Sequence, residues 1–303
     1  MTGEPPAGRD ELPDPHDFLP PASGTVAGVR QRSRRALADL SIDLREVVVR
    51  RGRRLDGLAR CTPVREILVL SIYRPGSPAI HSAVRELGRS RHSVRITLGS
   101  TGERRGELGD LTLATELQGG KFQNLNALLP LAGGEADWTL VVDDDVDLPA
   151  GFLDRFIGLC EAFGLALAQP AQTQMSHAAW PVTRRRGGSL LRETRFVEIG
   201  PVTAFSREAA DALMPFPDLR YGWGLDSHWA AVAAQRGWRL GIADAVAVRH
   251  ERAPVATAYP HEEAVAEARR FLAKRPYVPL VRAAETVTTH RRIPLPARRQ
   301  VSA

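Results

Sequence analysis

The sequence predicts an α/β fold in which a mostly parallel central sheet is flanked by helices, and three observations carry that expectation. A continuous apolar run, Glu66-Ile67-Leu68-Val69-Leu70-Ser71-Ile72-Tyr73, has the length of a strand buried on both faces. Strand-like and helix-like patterns then alternate to about residue 250, as parallel strands joined by helical crossovers require. An acidic triplet, Asp143-Asp144-Asp145, directly follows the apolar segment Trp138 to Val142, at the strand end where open α/β sheets bind ligands.

Each element follows in order. Residues 1 to about 24 are rich in Pro, Gly, Asp and Glu, with Phe18 and Leu19 almost alone as large apolar groups, and read as a disordered leader. From about 25 to 60 an Arg-rich stretch carries Leu37, Leu40, Ile42, Leu44, Val47 and Val48, enough for a helix or two with an uneven apolar stripe. After the first strand, Ser77-Pro78 signals a helix start, with a capping side chain and a residue preset for the first turn. Val94 to Leu98 is the next strand, followed by a short one at Leu111 to Ala114, a helix from Lys121 and the strand Trp138 to Val142. Pro149 and Gly151 lead into a helix with Leu153, Phe156, Ile157 and Cys160 on one face. Gln169 to Leu191 lacks periodicity and reads as a long mobile connection. Strand-like Arg195 to Phe205, a helix capped by Ser206, a helix near Leu225 to Gln235, and strands at Trp238 to Ile242 and Ala245 to Val248 complete the core. The expected organisation is an N-terminal extension over 1–60, a globular domain over 61–281 and a disordered basic tail over 282–303.

No run of about 18 apolar residues is present and the first 30 residues lack a secretory apolar stretch, so a cytoplasmic protein is expected. Cys61 and Cys160 are far apart and imply neither a disulfide framework nor a zinc knuckle. The net charge of +6 is modest, but Arg30, Arg32, Arg34, Arg35, Arg50, Arg51, Arg53 and Arg54 concentrate it ahead of the apolar core. The first reading is a solvated basic helical face; the second is peripheral contact with the inner membrane face. Without aromatic interleaving or a known motif, no nucleic-acid partner is expected.

If the chain stays extended through the triplet, Asp143 and Asp145 project to one side and Asp144 to the other. Two carboxylates about 5 Å apart repel by roughly 3 kcal/mol at an effective dielectric near 20, a penalty that a hard cation such as Mg²⁺ or Mn²⁺ removes. A second cluster, Tyr221-Gly222-Trp223-Gly224-Leu225-Asp226, makes a tight loop in which a sugar face could stack on Trp223. Asp226 falls in the first helical turn, whose dipole favours the ionised form that a general base needs. Lys121, after Gly119-Gly120 at a helix start, is disfavoured by the same dipole unless an anion is near, and a phosphate would satisfy it. It is not a Walker A lysine, because Phe122 follows it.

With these features and the late His250 in this order, residues 66 to 252 resemble nucleotide-sugar glycosyltransferases of the GT-A fold, especially the family 2-like group. The resemblance implies a Rossmann-like nucleotide-binding half joined to an acceptor half. It implies that Asp145, Asp143 and His250 hold Mn²⁺ or Mg²⁺, with Asp143 or Asp144 nearer the ribose, and that Asp226 is the catalytic base. Ser71, Tyr73, Arg74, Ser100, Lys121, Asn126, Asp143 and Asp144 would contact the donor, and Trp223 and Gly224 the acceptor. Arg184 to Arg186 are further candidate phosphate contacts on a loop that could act as a lid. The expected partners are a nucleoside diphosphate sugar and a hydroxyl-bearing acceptor, either a saccharide, a lipid-linked group or a small molecule. Two departures stand out. Thr97-Leu98-Gly99-Ser100 lacks the Asp that pairs with the nucleotide base, and Leu225 replaces the acidic neighbour of the catalytic Asp, leaving one carboxylate instead of a pair. The expected activity is therefore metal-dependent, inverting hexosyl transfer, against a nucleotidyltransferase of related fold or a noncatalytic binding protein.

Overall fold

A computed structural model describes residues 12–19, 28–103, 106–250, 260–283 and 285–294. The chain begins with helices α1 (Val29–Val48) and α2 (Arg51–Cys61), then strand β1 (Glu66–Tyr73), α3 (Pro78–Leu87), β2 (Ser93–Ser100) and β3 (Thr112–Ala114). It continues through α4 (Lys121–Ala132), β4 (Trp138–Val142), β5 (Val146–Asp147), α5 (Phe152–Ala162), β6 (Leu167–Gln172), β7 (Leu191–Thr194) and β8 (Val202–Ser206). The last elements are α6 (Arg207–Leu213), α7 (Leu225–Arg236), β9 (Leu240–His250), α8 (His261–Leu272), α9 (Leu280–Ala283) and β10 (Thr286–His290). The strands join in the order β10-β7-β9-β6-β8-β4-β1-β2-β3, with β5 paired to β9 off this path. Strands β3, β2, β1 and β4 form an all-parallel half, and β7, β8 and the off-path β5 run against the other strands.

The apolar run in β1 reflects burial on both faces. Ile67 and Val69 enter one core with Leu55 of α2 and Phe152, Phe156 and Ile157 of α5. Leu68 and Leu70, one residue out of phase, enter the other with Phe122 of α4, Trp229 of α7 and Phe271 of α8. The structure is thus an α/β fold with a large, mostly parallel sheet between two helical layers.

Several local expectations are corrected. Ser77 does not cap α3; its hydroxyl donates to the Asp144 carbonyl at 2.6 Å, so the helix start is tied to the acidic turn. The strand expected over Arg195 to Phe205 is a loop from Arg195 to Pro201 followed by β8, because Phe196 and Val197 are fully buried in the loop and apolarity alone does not separate the two cases. The two late strands are one, β9, since the apparent break at Asp244 is a buried ion pair with Arg192 (Nε to Oδ2, 2.8 Å) inside the strand. Gln169 to Leu191 is no loose connection. It contains the end of β6, a 3₁₀ turn at Pro181–Thr183 and the buried residues Ser176, Ala178 and Thr183, with Arg192 donating to the Val182 and Arg184 carbonyls. In the leader, Phe18 is buried at 3% exposure, and Tyr277 Oη donates to Asp17 Oδ2, because one aromatic docks into a cavity built by the rest of the chain. The tail supplies β10, whose backbone pairs with β7. The remaining terminal residues of both segments lie outside the described residues. No described helix is long and apolar enough to cross a membrane.

Candidate functional site

At the carboxyl end of β4 the Asp143 N–H donates to the Pro201 carbonyl (2.9 Å), and the chain turns before pairing as β5 with the end of β9. That pairing sets Val146 opposite His250 and so brings the imidazole to Asp145, Nε2 to Oδ1 at 3.0 Å. One ligand atom each from Asp143, Asp145 and His250 lie within 4.8 Å of one another. The triplet is a turn and not the extended stretch the alternation argument needs, and Asp144 is drawn to Arg74. Its Oδ2 accepts from the Arg74 backbone N–H (2.9 Å) and Nε (3.1 Å), and its Oδ1 from Nη2 (3.0 Å).

Electrostatics bind this cluster together. Burial pushes the Asp145 carboxyl up, but the hydrogen bond and charge of His250, with the Arg74 and Lys121 charges, outweigh it and hold the group below its usual value. Burial lowers His250, yet the Asp145 hydrogen bond and charge leave it raised. Asp143 is raised, chiefly by its enclosed position on the cavity wall, against the pull of Lys121. Lys121 Nζ sits 2.6 Å from Asp143 Oδ1 and donates to the Ile199 carbonyl at 2.8 Å. The anion that settles this lysine at a helix start is therefore Asp143 itself, and no phosphate is needed to explain it.

The acidic edge opens on a cavity of about 760 Å³, within the range of small-molecule sites. Trp223, Gly224 and Asp226 also line it, and Trp223 meets the His261 ring edge-on at 5.3 Å between centroids. Gly224 has φ 87°, and a side chain there would press on Leu272, so the turn into α7 needs glycine. Asp226 is buried, and burial raises its carboxyl to about 7 against the hydrogen bond from the Ser227 N–H. This differs from the fully ionised group expected from the helix dipole: desolvation dominates.

Glu198, which sequence reasoning missed, also lines the cavity. Burial first and the Asp226 charge second raise its carboxyl to about 8, and Gln172 Nε2 donates to its Oε2 at 2.8 Å. The one available signal was a carboxylate inside the apolar run Phe196-Val197-Glu198-Ile199. Glu198 comes from the β7–β8 loop and lines the same cavity as Asp226. His177, also missed, lines the wall with its ring 6.2 Å from that of His250, and burial foremost lowers it to about 4.

Of the sequence-predicted residues, Arg74, Lys121, Asp143, Asp144, Asp145, Trp223, Gly224, Asp226 and His250 meet at this cavity. Tyr73 borders it, but its hydroxyl is bonded to Thr112 Oγ1 at 3.0 Å. Ser71, Ser100 and Asn126 do not reach it. Ser71 is buried within β1, Ser100 Oγ accepts from the Gly102 N–H (3.1 Å), and Asn126 brackets the backbone of Phe216. Arg184 and Arg185 are used elsewhere: Arg184 Nη1 donates to the Gln174 and Ser176 carbonyls and Arg185 pairs with Asp43, while Arg186 is exposed and its backbone N–H donates to Asp244.

No protein-family model and no curated protein matches the sequence. Among solved structures the chain is similar to a mannosyltransferase from Pyrobaculum calidifontis in complex with GDP-Man and Mn²⁺, at 14% identity over 82% of this chain and 76% of that one (TM-score 0.46). It is also similar to GalNAc-T7 with UDP, GalNAc and Mn²⁺, at 12% identity over 62% of this chain and 44% of that one (TM-score 0.47). A third similarity is to S. aureus TarS 1–349, at 11% identity over 60% of this chain and 59% of that one (TM-score 0.42).

Proposed function

We propose that this chain is a metal-dependent glycosyltransferase that moves a sugar from a nucleoside diphosphate donor to a hydroxyl acceptor, with inversion at the anomeric carbon. The observation that carries the reading is that the Asp143-Asp145-His250 group and the Asp226 and Glu198 carboxyls face one cavity. The donor set fits a divalent cation: two carboxylates and an imidazole offer one ligand atom each within 4.8 Å of one another, and the imidazole suits Mn²⁺ better than Mg²⁺. When bound, such an ion supplies Lewis-acid stabilisation of the leaving diphosphate.

The protein's own residues do the rest. Arg74, oriented by Asp144, and Lys121 add positive charge at the donor end. Trp223 walls the acceptor side. Asp226 takes the acceptor's proton as its oxygen bonds to the anomeric carbon and the bond to the diphosphate oxygen breaks; a carboxyl near 7 is well matched to that task. Burial and the Asp226 charge both favour the neutral form of Glu198, which spares the pocket a second negative charge. The test is sugar transfer across a panel of nucleotide sugars with Mn²⁺ or Mg²⁺, comparing wild type with Asp145→Ala and Asp226→Asn, and reading product configuration by NMR. Donor turnover equal in all three proteins would sink the proposal; retention of configuration would sink its inverting step.

A further inference from the structure

Helix α1 faces the wrong way for a surface helix, which ordinarily buries its apolar stripe and shows its polar face to water. Its inward side carries the polar Arg35, Asp39 and Glu46 with Ile42. Arg35 Nη1 donates to Gln174 Oε1 (2.8 Å), Asp39 accepts from the Gln174 and Met175 N–H groups (2.9 and 3.0 Å), and Glu46 pairs with Arg51 (2.5 Å). Leu37, Leu40, Leu44 and Val47 fall within an arc of about 80° on the opposite side at 3.6 residues per turn. They are 65, 63, 63 and 73% exposed.

Charge selects the occupant of this stripe. Residues 29–61 hold ten arginines against four acids, 10 − 4 = +6. All four acids are already engaged: Asp39 by the Gln174 backbone, Asp43 by Arg185, Glu46 by Arg51 and Asp56 by Arg155. The exposed Arg30 and Arg34 border the apolar arc, so a second copy laid against it would bring arginines onto arginines. An anionic sheet that accepts both aliphatic side chains and guanidinium groups is the surface of a bilayer with acidic headgroups.

We propose that α1 is an interfacial helix that lays its Leu37-Leu40-Leu44-Val47 stripe in an anionic lipid surface, with the bordering arginines on the headgroups. This does not depend on the proposed transfer reaction. Because Asp39 holds Gln174 and Met175, docking also anchors the loop that carries His177 of the cavity wall.

The experiment is flotation of the full chain with phosphatidylcholine vesicles, with and without phosphatidylglycerol. Wild type is expected to float with the mixed vesicles only and to lose association as salt rises. Leu40→Glu/Leu44→Glu is expected to cut the bound fraction by about tenfold or more, and Arg30→Glu/Arg34→Glu to do so in the mixed vesicles, both with an unchanged unfolding midpoint because the side chains are exposed. Absence of wild-type flotation, equal binding to neutral vesicles, or undiminished binding of the Leu variant overturns the proposal. So does a wild-type dimer, seen by light scattering, that the Leu variant dissolves.

Discussion

His250 Nε2 lies 3.0 Å from Asp145 Oδ1 although 105 residues separate them in the chain. The contact is a consequence of register: β5 pairs with the end of β9 and sets Val146 against His250. His250→Ala is therefore expected to weaken Mn²⁺ binding by at least about tenfold, with Asp145→Ala weakening it further, as read by calorimetric titration. Wild-type affinity should also fall as pH drops through the raised histidine value, because the proton and the metal compete for Nε2.

Asp226 links activity and stability in opposite senses. Its carboxyl titrates near 7 in the folded protein against 3.8 for the ordinary group. Between those values the native state holds a proton that the unfolded chain has released, so stability falls as pH rises through this window and levels off above it. The shift corresponds to an effect on the order of 4 kcal/mol. Transfer activity should rise through pH 7, whereas Asp226→Asn should lose activity by about 10²-fold or more and gain stability above pH 8. Paired pH profiles of turnover and of urea midpoint check both.

Glu198→Gln mimics the neutral form that burial already favours. Turnover at pH 7 should stay within about threefold of wild type, while Glu198→Ala, which abandons the Gln172 contact at 2.8 Å, should fall well below it. A Gln variant as poor as the Ala variant would mean that Glu198 works as a carboxylate.

Arg192 and Asp244 form an ion pair whose side chains are fully buried, with Nε to Oδ2 at 2.8 Å. Asp244→Asn leaves the guanidinium charge uncompensated and should cost about 3–5 kcal/mol in chemical unfolding. Because Arg192 also holds the Val182 and Arg184 carbonyls, proteolysis within residues 173–190 should quicken in the same variant.

The sequence by itself determined the parts set by local pattern. β1, α4 and β4 follow from apolar runs and a glycine-led helix start. It also placed Asp226 in the first turn of α7. Tertiary structure decided what depends on distant segments. Ser77 and Lys121 found the acidic turn in place of a helix cap and a phosphate, and Arg184 and Arg185 were taken up by the segment after β6 and by α1. Phe18 and β10 became ordered because a cavity and a strand edge elsewhere received them. Glu198 arrived beside Asp226 only when the β7–β8 loop folded over the cavity. Local periodicity records which face of an element is buried; the charge state of a carboxyl depends on what surrounds it, and those neighbours are assembled from across the whole chain.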